Sequence, residues 1–248
     1  MMRQLRIGTA GWSVPSVYLS QVPSGGSHLD RYARHLNAVE INSSFYRPHR
    51  RTTYQRWAQS VPENFRFSVK VPKTITHDAG LAGCGALLDR FVDEVTGLGD
   101  KLGVLLVQLP PKAALNKRIA NNFFRKLRRR IDIGVVVEPR HASWFAADID
   151  GWLAKRRIAR AAADPARIPG AGEPGGWPEL AYYRWHGSPR IYYSNYDASA
   201  LTALKRRLAD RARNSEAWCM FDNTTSGAAL GNALALAHRC GVSAMCPE

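Results

Sequence analysis

No stretch of this 248-residue chain approaches the ~20 consecutive apolar residues of a membrane span, so no membrane partner is expected. The start, MMRQLRIGTAGW, reaches its first arginine after two residues and has no apolar core, which predicts no secretory signal. The cysteines Cys84, Cys219, Cys240 and Cys246 are widely spaced and form no CxxC pair. That argues against a zinc knuckle and predicts reduced thiols in a cytoplasmic setting. Acidic residues are scarce, 20 against 35 Lys and Arg, which leaves a net charge of +15. Also missing are a G-x-G-x-x-G fingerprint, a Walker loop and a G-x-S-x-G elbow. Rossmann, P-loop and serine-hydrolase chemistry therefore lack support.

What is present suits one compact domain over residues 1–248. A hydrophobic content of 45% is enough for a sizeable core. Strand-like runs begin near Leu5, Ala38, Phe65, Leu102, Gly134, Ile158, Tyr182 and Ala217. Helical spacing follows most of them: His28 to Leu36, Thr52 to Ser60 (capped by Thr52 or Thr53), Leu87 to Leu98, Lys117 to Arg130, Ala147 to Arg156, Ala200 to Arg213 and Ala228 to Arg239. Such alternation implies parallel βαβ units, and eight in this length predict a (β/α)8 TIM barrel over an open doubly wound sheet. The segment Pro165 to Trp177 is rich in Pro and Gly without helical spacing, so a loop replaces the helix after the sixth strand.

The apolar runs end in polar residues, which a buried strand tolerates only if those ends meet in a site. In Val39-Glu40-Ile41-Asn42 the branched residues face one way and the polar pair the other; Val69-Lys70-Val71 and Phe221-Asp222 repeat this. Outer strand faces pack on helices, so the polar set belongs inside, at the mouth. The predicted lining is Glu40, Asn42, Ser68, Lys70, Gln108, Glu138, Arg140, Asp164, Arg184, His186 and Asp222. A purely structural ion-pair network is the alternative. As a site, Glu40, Glu138, His186 and Asp222 are the acid–base candidates. Lys70, Arg140 and Arg184 would clamp an anion, with Asn42, Gln108 and Asp164 as further substrate contacts.

Cations among the carboxylates argue against a metal, although His77 and His141 could join His186 as ligands. A retaining glycosidase would place carboxyls after the fourth and seventh strands, where Gln108 and His186 stand. Phosphate fits better. The loops His186-Gly187-Ser188-Pro189-Arg190 and Asp222-Asn223-Thr224-Thr225-Ser226-Gly227 offer Ser188, Arg190 and Asn223 as donors. Ordinary turns, with Thr225 or Ser226 capping a helix, would use the same residues. The aromatics Trp12, Tyr46, Trp144, Phe145, Trp177, Tyr192, Tyr193 and Tyr196 are expected on the same face.

The segments RIGTAGW, VEINSSFYR, FRFSVKVPKTITH, LGVLLVQLPP, VVVEPRHASWF, AADPA, YYRWHGSPR and FDNTTSGAALGNAL run from Arg6 to Leu234. Together they resemble the YecE-like domain-of-unknown-function family. The resemblance implies a TIM-barrel fold, in agreement with the strand count, and no established reaction.

Two functions follow as expectations. One is an enzyme acting on a small polar, phosphorylated or sugar-like substrate; a ligand sensor would use the same lining. The other is a nucleic-acid-binding or nuclease-like barrel. It would use the basic runs Lys117 to Arg130, Lys155 to Arg160 and Lys205 to Arg213, which equally suit solvated outer helices. No cofactor and no oligomeric state is implied.

Overall fold

The computed structural model describes residues 4–22 and 25–242, so Cys246 lies outside the described residues. Strand and helix alternate as β1 (Leu5–Thr9), α1 (His28–Ala33), β2 (Ala38–Ile41), α2 (Arg51–Gln59), β3 (Arg66–Lys70), α3 (Gly85–Val95), β4 (Leu102–Gln108), α4 (Lys117–Arg128), β5 (Gly134–Glu138) and α5 (Ile149–Ala154). They continue as β6 (Ala159–Arg160), β7 (Ala162–Asp164), β8 (Gly175–Gly176), β9 (Leu180–Trp185), α6 (Ala198–Ala212), β10 (Glu216–Phe221) and α7 (Ala228–Cys240). Side-chain caps set three helix starts: Ser27 and Asp30 form a capping box on α1, Asn116 caps α4 and Asp197 caps α6. The expected caps on α2 and α7 differ. Thr52 and Thr53 lie inside α2, and Gly227 precedes α7 without a side-chain cap. No helix replaces the loop between β7 and β9; Gly175–Gly176 instead pairs antiparallel with β6. Among the described residues no helix is long and apolar enough to cross a membrane.

All pairings except β6–β8 are parallel, as the βαβ pattern requires. The ladders form two sheets, β1-β10-β9-β7 and β2-β3-β4-β5-β6-β8, and do not close into the one continuous ring that the strand count suggested. Between β6 and β7 the chain itself passes from one sheet to the other at Ala161. Between β1 and β2 only the isolated bridge Ala10–Glu40 is formed.

Side chains replace the missing ladder at that second seam. Asn37 accepts from Ile7 N (3.0 Å) and donates to Leu5 O (2.9 Å). The Tyr32 hydroxyl accepts from Thr9 N and donates to Ala38 O, both at 2.9 Å. The backbones approach so closely that a Cβ on Gly8 would fall 2.1 Å from Ala38 O. Glycine is required there by space.

Alternate strand residues divide the core in two. One apolar cluster joins Ile7, Val39, Ile41, Val69, Leu105, Val135 and Phe221 to the helices. The other contains no helix residue: Ala38, Val104, Leu106, Val136, Ala159, Ala161, Leu180, Tyr182, Trp218 and Met220. Two residues on from Ala38, Leu106, Val136, Tyr182 and Met220 come Glu40, Gln108, Glu138, Arg184 and Asp222. The polar tier therefore continues the inner cluster toward the C-terminal strand ends.

Replacing Tyr32 with Phe leaves two buried backbone groups at the seam unpaired and should cost about 1–3 kcal/mol in urea unfolding. Gly8→Ala, which must push the β1 and β2 backbones apart, should cost more than Tyr32→Phe in the same measurement.

Candidate functional site

Arg184, fully buried in β9, is the hub of the polar tier. Its guanidinium donates to Glu40 twice, through Nε to Oε2 (3.0 Å) and Nη2 to Oε1 (2.7 Å). It also donates through Nη1 to Glu138 Oε2 (2.7 Å) and Nη2 to Asp222 Oδ2 (3.0 Å). Three carboxylates from three strands thus meet one planar cation, a fork geometry that arginine alone offers. His186 lies two residues on and donates from Nδ1 to Asp222 Oδ2 (3.0 Å). Its Nε2 is 3.3 Å from Glu138 Oε1, within ion-pair reach, yet buried without an aligned hydrogen-bond partner. Gln108 Nε2 donates to both oxygens of Glu138 at 3.2 Å, and Arg140 donates to Oε1 from Nε and Nη2 at the same distance. Tyr182 Oη completes the floor, 3.0 Å from Glu40 Oε2 and 2.8 Å from Ser68 Oγ.

Burial alone would raise the carboxyl of Glu138, but Arg184, His186 and Arg140 overturn it and hold the group well below the usual carboxylate range. Asp222 goes the same way, burial being outweighed by Arg184 and His186. Burial would lower His186, whereas Glu138 and the bond to Asp222 raise it. Both shifts favour the imidazolium–carboxylate form of the pair, and the ring orientation is fixed through Nδ1.

Lys70 is the exception in this network. It is 5% exposed, its Nζ sits 4.1 Å over the Phe45 ring, and its side chain makes no hydrogen bond or ion pair among the described residues. Burial, then Arg184, push it down to about 8, against the pull of Glu40, Glu138 and Asp222. The carboxylates that could pair with it already belong to Arg184. Asn42 Oδ1 is likewise buried without a partner.

The remaining predicted residues lie elsewhere. Asp164 accepts from the Tyr196 hydroxyl (2.7 Å), outside the Arg184 network. Asn223 ties Ser194 O and Asn232 Oδ1 together, both at 2.9 Å, and so brackets the loop after β9 to α7. Ser188 is half-buried, and Arg190 is exposed and stacked 3.9 Å from the Tyr193 ring. Just beyond the first of the two loops expected to bind phosphate, Tyr192 O and Tyr193 O accept from Thr225 N and Ser226 Oγ of the second. Of the aromatics, Trp144 is buried against Ala113 O, and Trp177 bonds Ile158 O at the opposite, N-terminal side of the strands. The basic runs fall on α4 and the turn after it, from the end of α5 into β6, and on α6, where Lys117, Arg130, Arg157 and Arg207 pair with Asp148, Asp89, Asp132 and Glu173.

A cavity of about 280 Å³ opens beside His186, lined by Glu138, Arg140, Arg167, Tyr192 and the apolar residues Pro111, Pro139, Ala163, Pro165, Ile168, Ala171 and Ile191. Tyr182 and Arg167 were not among the predicted site residues. Tyr182 shares the parity of Arg184 and His186 and was legible in principle. Arg167 lies in the segment without period and was not. Tyr192 holds φ +70°, sparsely populated for an aromatic residue, as part of the loop that presents it to the cavity. Among the described residues no group of three or more His, Cys, Asp or Glu side chains is arranged to hold a metal ion. Arg184 occupies the point where the carboxylates converge.

Because its folded pKa is depressed to about 8 from 10.5, Lys70 favours the unfolded state wherever it is charged, and stability rises as pH climbs between these values. Lys70→Met should therefore stabilise the protein, by about 3 kcal/mol at pH 7, shrinking to about 2 kcal/mol at pH 9, in urea unfolding at both values. Arg184→Ala should do the reverse, costing about 3–5 kcal/mol or preventing folding, since it strands buried carboxylates.

The family model described as "Protein of unknown function DUF72" matches residues 6–247. The UPF0759 protein YecE of Escherichia coli (strain K12) is 33% identical over 141 residues, 56% of this chain and 50% of that protein. The chain thus spans about half the length of the curated relatives it matches. A DUF72 family protein from Enterococcus faecalis V583 superposes with a TM-score of 0.80 at 22% identity, covering 97% of this chain and 96% of that one. One from Thermotoga maritima MSB8 gives 0.78 at 22% identity, covering 96% and 100%. These likenesses establish a shared mixed α/β fold with parallel sheets, and the match over residues 6–247 places the chain in the DUF72, YecE-like family.

Proposed function

We propose that this protein is an enzyme acting on a small anionic substrate at the C-terminal ends of its parallel strands, with His186 transferring the proton. One observation carries the reading: a buried imidazole, oriented by Asp222 through Nδ1 and 3.3 Å from Glu138 Oε1 at Nε2 without an aligned hydrogen bond, lines a cavity that also holds Arg140 and Arg167. An imidazolium fixed in this way is a general acid whose geometry precedes its substrate. The two arginines supply charge where an anionic group would sit.

The carboxylates take supporting roles. Glu138 and Asp222, both lowered by Arg184 and His186, serve as counter-charges to them. Glu40 is doubly bonded to Arg184 and keeps that side chain flat. Arg184 is fully buried and spends four of its five N–H donors on its carboxylates, so the anion clamp moves outward to Arg140 and Arg167. Lys70, uncompensated and partly neutral, is a second proton acceptor or anion contact on the β3 side. The phosphorylated substrates suggested by the sequence suit this charge. The two sheets read as one eight-stranded TIM barrel interrupted at the β1–β2 and β6–β7 seams; the inner cluster free of helix residues supports that reading.

The raised His186 stays charged below its folded pKa and loses its charge as pH rises through it, so anion binding should weaken over that interval. Thermal-shift titration with phenyl phosphate should show stabilisation that declines on the alkaline side. His186→Gln should flatten the decline, and Arg140→Ala should remove most of the stabilisation. Stabilisation indifferent to pH and to both variants would refute the site.

A further inference from the structure

The side chains around the cavity are chemically one-sided. Arg140 and Arg167 can only donate hydrogen bonds, and Arg167 is exposed with no hydrogen bond or ion pair among the described residues. His186 is the third lining donor; its Nδ1 is committed to Asp222, and its Nε2, 3.3 Å from Glu138 Oε1, makes no aligned hydrogen bond. The lining carboxylate is Glu138, and its oxygens are taken: Oε1 by Gln108 and Arg140, Oε2 by Gln108 and Arg184. The Tyr192 hydroxyl lies beside Arg140. A ligand with many hydroxyl groups needs acceptors as well as donors, and buried hydroxyls without acceptors are costly. The lining side chains leave such hydroxyls almost nothing to donate to.

The rest of the wall is hydrocarbon: Pro111, Pro139, Pro165, Ile168, Ala171 and Ile191. Pro139 and Ala171 are buried, and the prolines fix the backbone on three sides, so this face keeps its shape without a ligand. At about 280 Å³ the space lies just under the usual range for drug-sized ligands. Charged donors at one end and apolar carbons at the other describe an amphipathic anion.

We infer that the cavity takes a small organic anion with an apolar body and discriminates against polyhydroxylated, sugar-like anions. The carboxylate or phosphate head meets Arg140, Arg167 and His186, and the hydrocarbon lies against Pro165, Ile168, Ala171 and Ile191. The inference rests on the anion-pocket reading proposed above and adds the ligand class that pocket selects.

Isothermal titration of the full chain with matched pairs tests it: phenyl phosphate against ribose 5-phosphate, and isovalerate against glycerate. The apolar member of each pair should bind roughly tenfold tighter, as burial of a few methylenes predicts. Comparing the phosphate pair with the carboxylate pair identifies the preferred head group. Ile168→Asn and Ile191→Asn, at half-buried loop positions, should erase the preference while the free variants keep the wild-type melting temperature. Equal or tighter binding of the polyol anions, abolished by Arg140→Ala, would overturn the inference and leave the anion site standing. An apolar preference that survives both asparagine variants would also overturn it. Binding of no anion from either series, or binding untouched by Arg140→Ala, would remove the anion site itself and this inference with it.

Discussion

Arg184 joins Glu40, Glu138 and Asp222, three carboxylates carried by strands far apart in sequence, at a point with no access to solvent. Each carboxylate alone would be driven toward its neutral form by burial, and the guanidinium alone would be unaffordable in an apolar interior. Together they are mutually compensated, and the consequences spread outward. Glu138 and Asp222 raise His186 against burial, and Arg184 lowers both carboxylates against theirs. Lys70 is depressed first by burial and then by the same arginine, which repels it and has taken its natural partners.

That arrangement divides the polar tier by role. Arg184, Glu40 and Tyr182 are committed to one another and Gln108 to Glu138, and together they form a rigid floor. His186, Arg140, Arg167 and Tyr192 border the cavity and are the groups a ligand would meet. The floor resembles the structural ion-pair network weighed as an alternative from sequence, and the rim does not. A buried lysine without a counter-ion belongs to neither layer comfortably, which is how groups kept for function rather than stability behave.

The β1–β2 seam shows a related principle in the backbone. Where the ladder fails, Asn37 and Tyr32 supply the donors and acceptors that a strand pair would have exchanged. Gly8 makes room for the close approach. Neither Asn37 nor Tyr32 stands out in the sequence, since one reads as a turn residue and the other as part of a helix face.

The sequence by itself determined the alternation of strands and helices, the loop in place of a helix before β9, and the membership of the polar tier. Period-2 alternation is local, so Glu40, Lys70, Gln108, Glu138, Arg184 and Asp222 could be assigned to one face without knowing their partners. Tertiary structure alone decided which of them pair. Arg184 could have faced a ligand or the carboxylates, and that depends on how strands 140 residues apart in the chain come into register. It also decided that Asp164 and Asn223 brace loops, that the ladders break at two seams, and that Arg167 reaches the cavity from a segment with no period. Pairing, closure and cavity shape are long-range properties, and local pattern carries no signal for them.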